Sequence, residues 1–145
     1  MDPNEGKIIK PEFKYSELTG KIIGCAMEVH SVLKSGYQEK IYQRALAYEF
    51  ELQGLNYERE LHMDIYYKER LMGARRVDFL VERIISVELK ALIKTEAVHL
   101  AQAINYLEAY NLEVGLLINF GNMRLEFHRL ANKKFQPHIS ITSKK

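Results

Sequence analysis

Tryptophan is absent from this 145-residue chain, and cysteine occurs once, as Cys25. A single thiol closes no internal disulfide and cannot make up a zinc site alone. The five histidines (His30, His62, His99, His128, His138) share no ligand spacing, so zinc is not indicated. No apolar run approaches the roughly 18 residues that a membrane-spanning helix requires. Met1-Asp2-Pro3-Asn4-Glu5 is polar and lacks the apolar segment of a secretory signal. A reducing, cytoplasmic setting without membrane contact is the expectation. An excess of one charge is missing too: 21 Lys+Arg face 19 Asp+Glu, leaving +2. That is far from the basic composition that announces a nucleic-acid binder.

What is present is ordinary for a folded domain: 47% hydrophobic and 28% charged residues. Enough apolar surface exists to offset the entropy of ordering, so disorder is excluded for the body of the chain. Residues 1–14, with Pro3 and Pro11, read as an N-terminal arm, residues 15–131 as one domain, and 132–145 as a loosely ordered C-terminal tail. Leu18, Ile22, Cys25, Ala26 and Val29 recur at helical spacing behind Ser16, a candidate N-cap, and Gly36 suits a left-handed C-cap. Cys25 lies on that stripe as a buried, inert thiol. A second helix spans 38–53, with Ile41, Ala45, Tyr48 and Leu52 as its apolar stripe and Glu39 on a neighbouring row. Period-two alternation predicts a long strand over 57–68, a turn at 69–73, and strands over 77–81 and 84–90. A third helix covers 96–110, the apolar run 114–120 reads as a central strand, and Leu125 and Phe127 mark a last one. The order is α-α-β-β-β-α-β-β, an α/β (α+β) fold with a mixed central sheet of about five strands flanked by helices.

Chemistry concentrates in Asp78, nine intervening residues, then Glu88-Leu89-Lys90. Residues two apart on a strand share a face, so Glu88 and Lys90 project together. A three-residue connection at 82–84 sets Val81 against Ile85 and, counting outward, Asp78 against Glu88. Like charges directly opposed are destabilising unless compensated, and a divalent cation on oxygen ligands is the natural compensation. Such a trio suits phosphodiester hydrolysis: carboxylates hold the ion and the lysine orients water or neutralises developing charge. The bland reading is a charged strand edge. Arg75, Arg76 and Lys68 are candidate phosphate contacts, with ion pairs to Glu82 or Asp64 as the alternative for the two arginines.

The chain resembles the GxxExxY family of the PD-(D/E)XK nuclease superfamily. The naming motif stands as Gly36-Tyr37-Gln38-Glu39-Lys40-Ile41-Tyr42. The likeness continues through Ala45, Leu46, Glu49 and Gly54, and through Tyr67-Lys68 and Gly73. It then takes in Arg76-Val77-Asp78-Phe79-Leu80-Val81 and Val87-Glu88-Leu89-Lys90-Ala91. It ends in Ala101-Gln102, Asn105-Tyr106-Leu107 and Gly115-Leu116-Leu117-Ile118-Asn119-Phe120-Gly121, covering residues 16–130. The resemblance implies a restriction-endonuclease-like α-β-β-β-α-β core. Asp78, Glu88 and Lys90 match the metal-binding acid and the D/E-x-K signature. Glu39 matches an acid contributed by the preceding helix, and Gln102 a polar position on the following one. Val77 replaces the proline of the signature. A helix acid favoured by the dipole is the plain alternative for Glu39. The expectation is a nuclease using Mg²⁺ or Mn²⁺ held by Glu39, Asp78 and Glu88, acting on nucleic acid, DNA above RNA, with a homodimer favoured for cutting both strands. The alternative is a non-catalytic nucleic-acid- or protein-binding module that keeps the fold.

Overall fold

A computed structural model of the chain describes residues 10–137. The expectations for the first nine residues and for 138–145, His138 included, lie outside the described residues. After a 3-10 turn at Pro11–Phe13 come α1 (Ser16–Leu33), α2 (Glu39–Leu52), β1 (Tyr57–Tyr67), β2 (Arg70–Val81) and β3 (Ile85–Lys90). Then follow α3 (Ala97–Ala109), β4 (Val114–Asn119) and β5 (Glu126–Ala131). The five strands lie in one sheet in the order β1-β2-β3-β4-β5. Only β3 and β4 run parallel, joined by the α3 crossover; the other pairs are antiparallel.

Helices cover both faces, so the core divides in two. Against α1 and α2 pack Phe79 and Val81 of β2, Ile85, Val87 and Leu89 of β3, and Leu116 and Ile118 of β4. Tyr42 stacks on Phe120 at 4.7 Å, and Phe50 meets Phe79 edge-on at 5.0 Å. Against α3 pack Met63, Val77, Leu80, Leu117 and Leu130. The central β4 is buried on both faces, as a dense apolar run dictates. Gly115 lets α3 approach: a Cβ there would stand 2.8 Å from Leu107 Cδ2.

Several local expectations are corrected. Ser16 opens α1 rather than capping it; Tyr15 is the N-cap residue, in the left-handed region at φ 62°. Lys34, not Gly36, is the C-cap residue of that helix, with Gly36 at φ 115° two positions on. The inner face of α2 is Tyr42, Gln43, Leu46, Ala47 and Phe50, while Ile41, Tyr48 and Leu52 are exposed. Both rows of α2 carry apolar residues, and the sheet buries the one with Tyr42, Leu46 and Phe50. β2 begins at Arg70 instead of Val77, because its outer half pairs with β1 although it buries little. Residues 132–136 are not loose: Asn132 donates to the Leu107 and Leu112 carbonyls at 3.0 Å each, and Gln136 is bonded to Asn111.

Candidate active site

The candidate site forms where β2 parts from β3. Their pairing runs Val81↔Ile85, Leu80↔Ser86, Phe79↔Val87 and stops there. Val77 packs toward α3 while Phe79 packs toward α1 and α2, so the alternation breaks at Asp78. On β1 the partner position, Glu60, sits at φ 54° and is skipped by the register, which passes from Arg59↔Phe79 to Leu61↔Val77. This irregularity turns Asp78 out of the regular pleat. Its carboxylate accepts the Leu89 N–H at 2.8 Å and the Gln43 amide at 2.8 Å, bridging β2, β3 and α2. Glu88 and Lys90 share the face of β3 opposite Leu89, as the period of a strand requires.

Four charged groups meet electrostatically at this kink. Burial raises the Asp78 carboxyl, against the Leu89 and Gln43 hydrogen bonds and the charges of Lys90 and Lys40. Burial also raises Glu39, the first residue of α2, and the negative charge of Asp78 adds to it, with Lys90 opposing. The N-terminus of α2 works against both, because it favours the ionised form. Glu88 is 4% exposed, and burial pushes it up to about 7. Arg75 and Lys90 hold it down while Asp78 and Glu39 push it up. Lys90 makes no direct ion pair or hydrogen bond through its ammonium among the described residues, yet its charge reaches all three acids. Its strand end is fixed from below. Asn119 bonds both the N–H and the carbonyl of Leu92 (2.8 and 3.0 Å), and a Cβ on Gly121 would fall 2.3 Å from the Leu92 nitrogen.

The other predicted residues distribute differently. Arg75 donates to both oxygens of Glu88 at 3.1 and 3.3 Å, and its guanidinium lies 3.7 Å from the centre of the Tyr106 ring. Arg76 stands 3.9 Å from Glu60, and among the described residues neither arginine forms an ion pair with Glu82 or Asp64. Lys68 is exposed at the far end of the β1–β2 ribbon, over the Tyr67 ring. Gln102 is exposed on α3, one turn before Tyr106 on the same row, and makes no hydrogen bond among the described residues. Two members escape sequence reasoning. Gln43 is 4% exposed and ties Asp78 to Lys40, whose ammonium lies 3.5 Å from the Gln43 oxygen. Its signal was a lone amide on the row of Tyr42 and Leu46. Tyr106 supports Arg75 and donates to the Arg76 carbonyl at 2.9 Å.

The donor chemistry fits a hard divalent cation: Asp78 raises the proton affinity of Glu39 and Glu88, and Glu39 that of Glu88, around a lysine with no direct ion pair among the described residues. Among the described residues, no three acids or histidines are drawn close enough to grip one ion as they stand. Both oxygens of Glu88 are engaged by Arg75.

A comparison with curated proteins finds no significant match. Among solved structures, the crystal structure of SSO0001 superposes with a TM-score of 0.52 at 19% identity, over 84% of this chain and 62% of its own. The chain thus spans less than two thirds of that structure, and a likeness at such identity speaks for the fold alone. A sequence profile of the PD-(D/E)XK nuclease superfamily matches residues 16–130, from the first turn of α1 through β5. The chain therefore belongs to the PD-(D/E)XK nuclease superfamily.

Proposed function

We propose that this protein is a divalent-metal-dependent nuclease of the GxxExxY type that hydrolyses phosphodiester bonds of nucleic acid, with DNA as substrate. The observation that carries the reading is the convergence of Glu39, Asp78, Glu88 and Lys90 on one kink, each within electrostatic reach of the others. Glu39, Asp78 and Glu88 are the residues that would hold Mg²⁺ or Mn²⁺, which supplies positive charge against the phosphate in the transition state. Lys90, free of a direct partner, orients the attacking water and offsets charge on the phosphate. Gln43 favours the ionised form of Asp78 against burial and aims its carboxylate. Gln102 assists from α3, and Arg75, Arg76 and Lys68 contact phosphates along the β1–β2 ribbon.

The test is cleavage of supercoiled, linear and branched DNA and of RNA in Mg²⁺ or Mn²⁺, by wild type, Asp78→Ala and Lys90→Ala. Wild type is expected to cut at least one DNA form and both variants to lose about 10³-fold or more in rate, as for removal of electrostatic transition-state donors. No cleavage of any form by wild type overturns the reading. The Arg75–Glu88 pair is the one feature that favours the second reading, a binding module that retains the fold. Metal-independent binding of nucleic acid without cleavage is the result that would establish it.

A further inference from the structure

Asp78 is half-buried and Glu88 buried, and their partners differ in kind. Asp78 is held by neutral donors, the Leu89 N–H and the Gln43 amide. Glu88 is held by a full positive charge on both oxygens. The Arg75 guanidinium is trapped between that carboxylate and the Tyr106 ring, while Tyr106 is itself fixed by its hydroxyl to the carbonyl of Arg76. The Arg75 side chain is 36% exposed against 6% for Glu88, so the arginine has an open path outward and the carboxylate has none.

A cation coordinated by Glu88 must approach oxygens that Arg75 already contacts, and the two positive charges repel at such range. Guanidinium and divalent ion thus compete for one carboxylate. We propose that Arg75 is a positioning residue that competes with the divalent cation for Glu88 and, once displaced, turns its guanidinium to the substrate phosphate. This couples ion binding to nucleic-acid binding, and it rests on the metal-dependent reading above. Arginine suits both tasks, because its planar fork matches carboxylate and phosphate alike. With Arg75 seated, Glu88 is neutralised without an ion. With an ion seated, a mobile cation appears beside the scissile bond.

The test uses the full chain and the ions alone. Calorimetric titration with Mn²⁺ and Mg²⁺ compares wild type with Arg75→Ala and Arg75→Met, the latter keeping an apolar stem over Tyr106. Both variants are expected to bind the ion about tenfold tighter, the scale on which neighbours of metal ligands act. In wild type, the Arg75 guanidinium NMR signals are expected to shift during Mg²⁺ titration and saturate with the calorimetric curve. Binding of a short duplex is expected to strengthen with ion in wild type, and to lose most of that gain in both variants. Unchanged or weaker ion binding in both variants, or Arg75 signals indifferent to Mg²⁺, would show a static buttress and overturn the proposal while leaving the nuclease reading intact. If neither wild type nor the variants bind an ion, both readings fall together.

Discussion

Glu88 carries a conflict that pH exposes. Its carboxyl titrates at about 7 in the fold, against about 4.3 in an unfolded chain, so folding favours the protonated form. The stability it contributes is complete below the unfolded value and is lost as pH rises through 7. Glu88→Gln, which mimics the protonated acid, should match wild type near pH 4 and exceed it by about 3 kcal/mol at pH 8, as read by thermal unfolding without added metal. A pH-independent difference would refute the assignment. Gln43 poses the complementary case, since it contributes no ligand. Gln43→Ala removes one of the two neutral donors to Asp78, and cleavage should fall about 10–100-fold while the melting temperature changes little. An unaltered rate would mean that the Leu89 N–H suffices.

At the scale of elements, the sequence displays strands by their alternation and hides what alternation does not mark. The hairpin count that opposed Asp78 to Glu88 is sound as far as Phe79↔Val87, and the side-chain period correctly put Glu88 and Lys90 together. The break at Asp78 was not legible. It depends on Glu60 adopting a left-handed backbone in the middle of β1, a choice no propensity of glutamate announces. Nor was the inner row of α2, because Ile41, Tyr48 and Leu52 imitate a core stripe and only the sheet decides between two apolar rows. The outer half of β2 was read as turn because its side chains stay exposed; backbone pairing alone makes it strand. The true turn is tighter, Lys68-Glu69 with φ of 48° and 68°, flanked by the pair Tyr67↔Arg70. Two positive φ values are the geometry that Asn-Gly fills without strain. Replacing Lys68-Glu69 by Asn-Gly should raise stability by about 1 kcal/mol or more, seen as a higher urea midpoint. A lower midpoint would mean that the Lys68 contact with the Tyr67 ring outweighs the strain relief.

For the molecule as a whole, the net charge of +2 averages over unlike regions. Three acids converge at one kink, whereas on the ribbon beyond it Lys68, Arg70, Arg75 and Arg76 outnumber Asp64 and Glu69. That ribbon outruns the sheet: between His62 and Arg76 its ladder joins β1 to β2 alone, tied to α3 by the Tyr106 and Tyr110 hydroxyls on the Arg76 and Asp64 carbonyls, while β3 and β4 are paired on both sides. Amide hydrogens beyond the kink should therefore exchange with solvent by local opening, and those of Val87 to Leu89 only when the whole domain opens. Deuterium uptake is expected to step sharply at residue 78, and a smooth gradient along β2 would contradict it. Asp78 then stands on the border between a part that breathes and a part that does not. A nucleic acid seated on the ribbon would quiet the breathing side first, and the order it imposes there would reach the carboxylate through the strand itself.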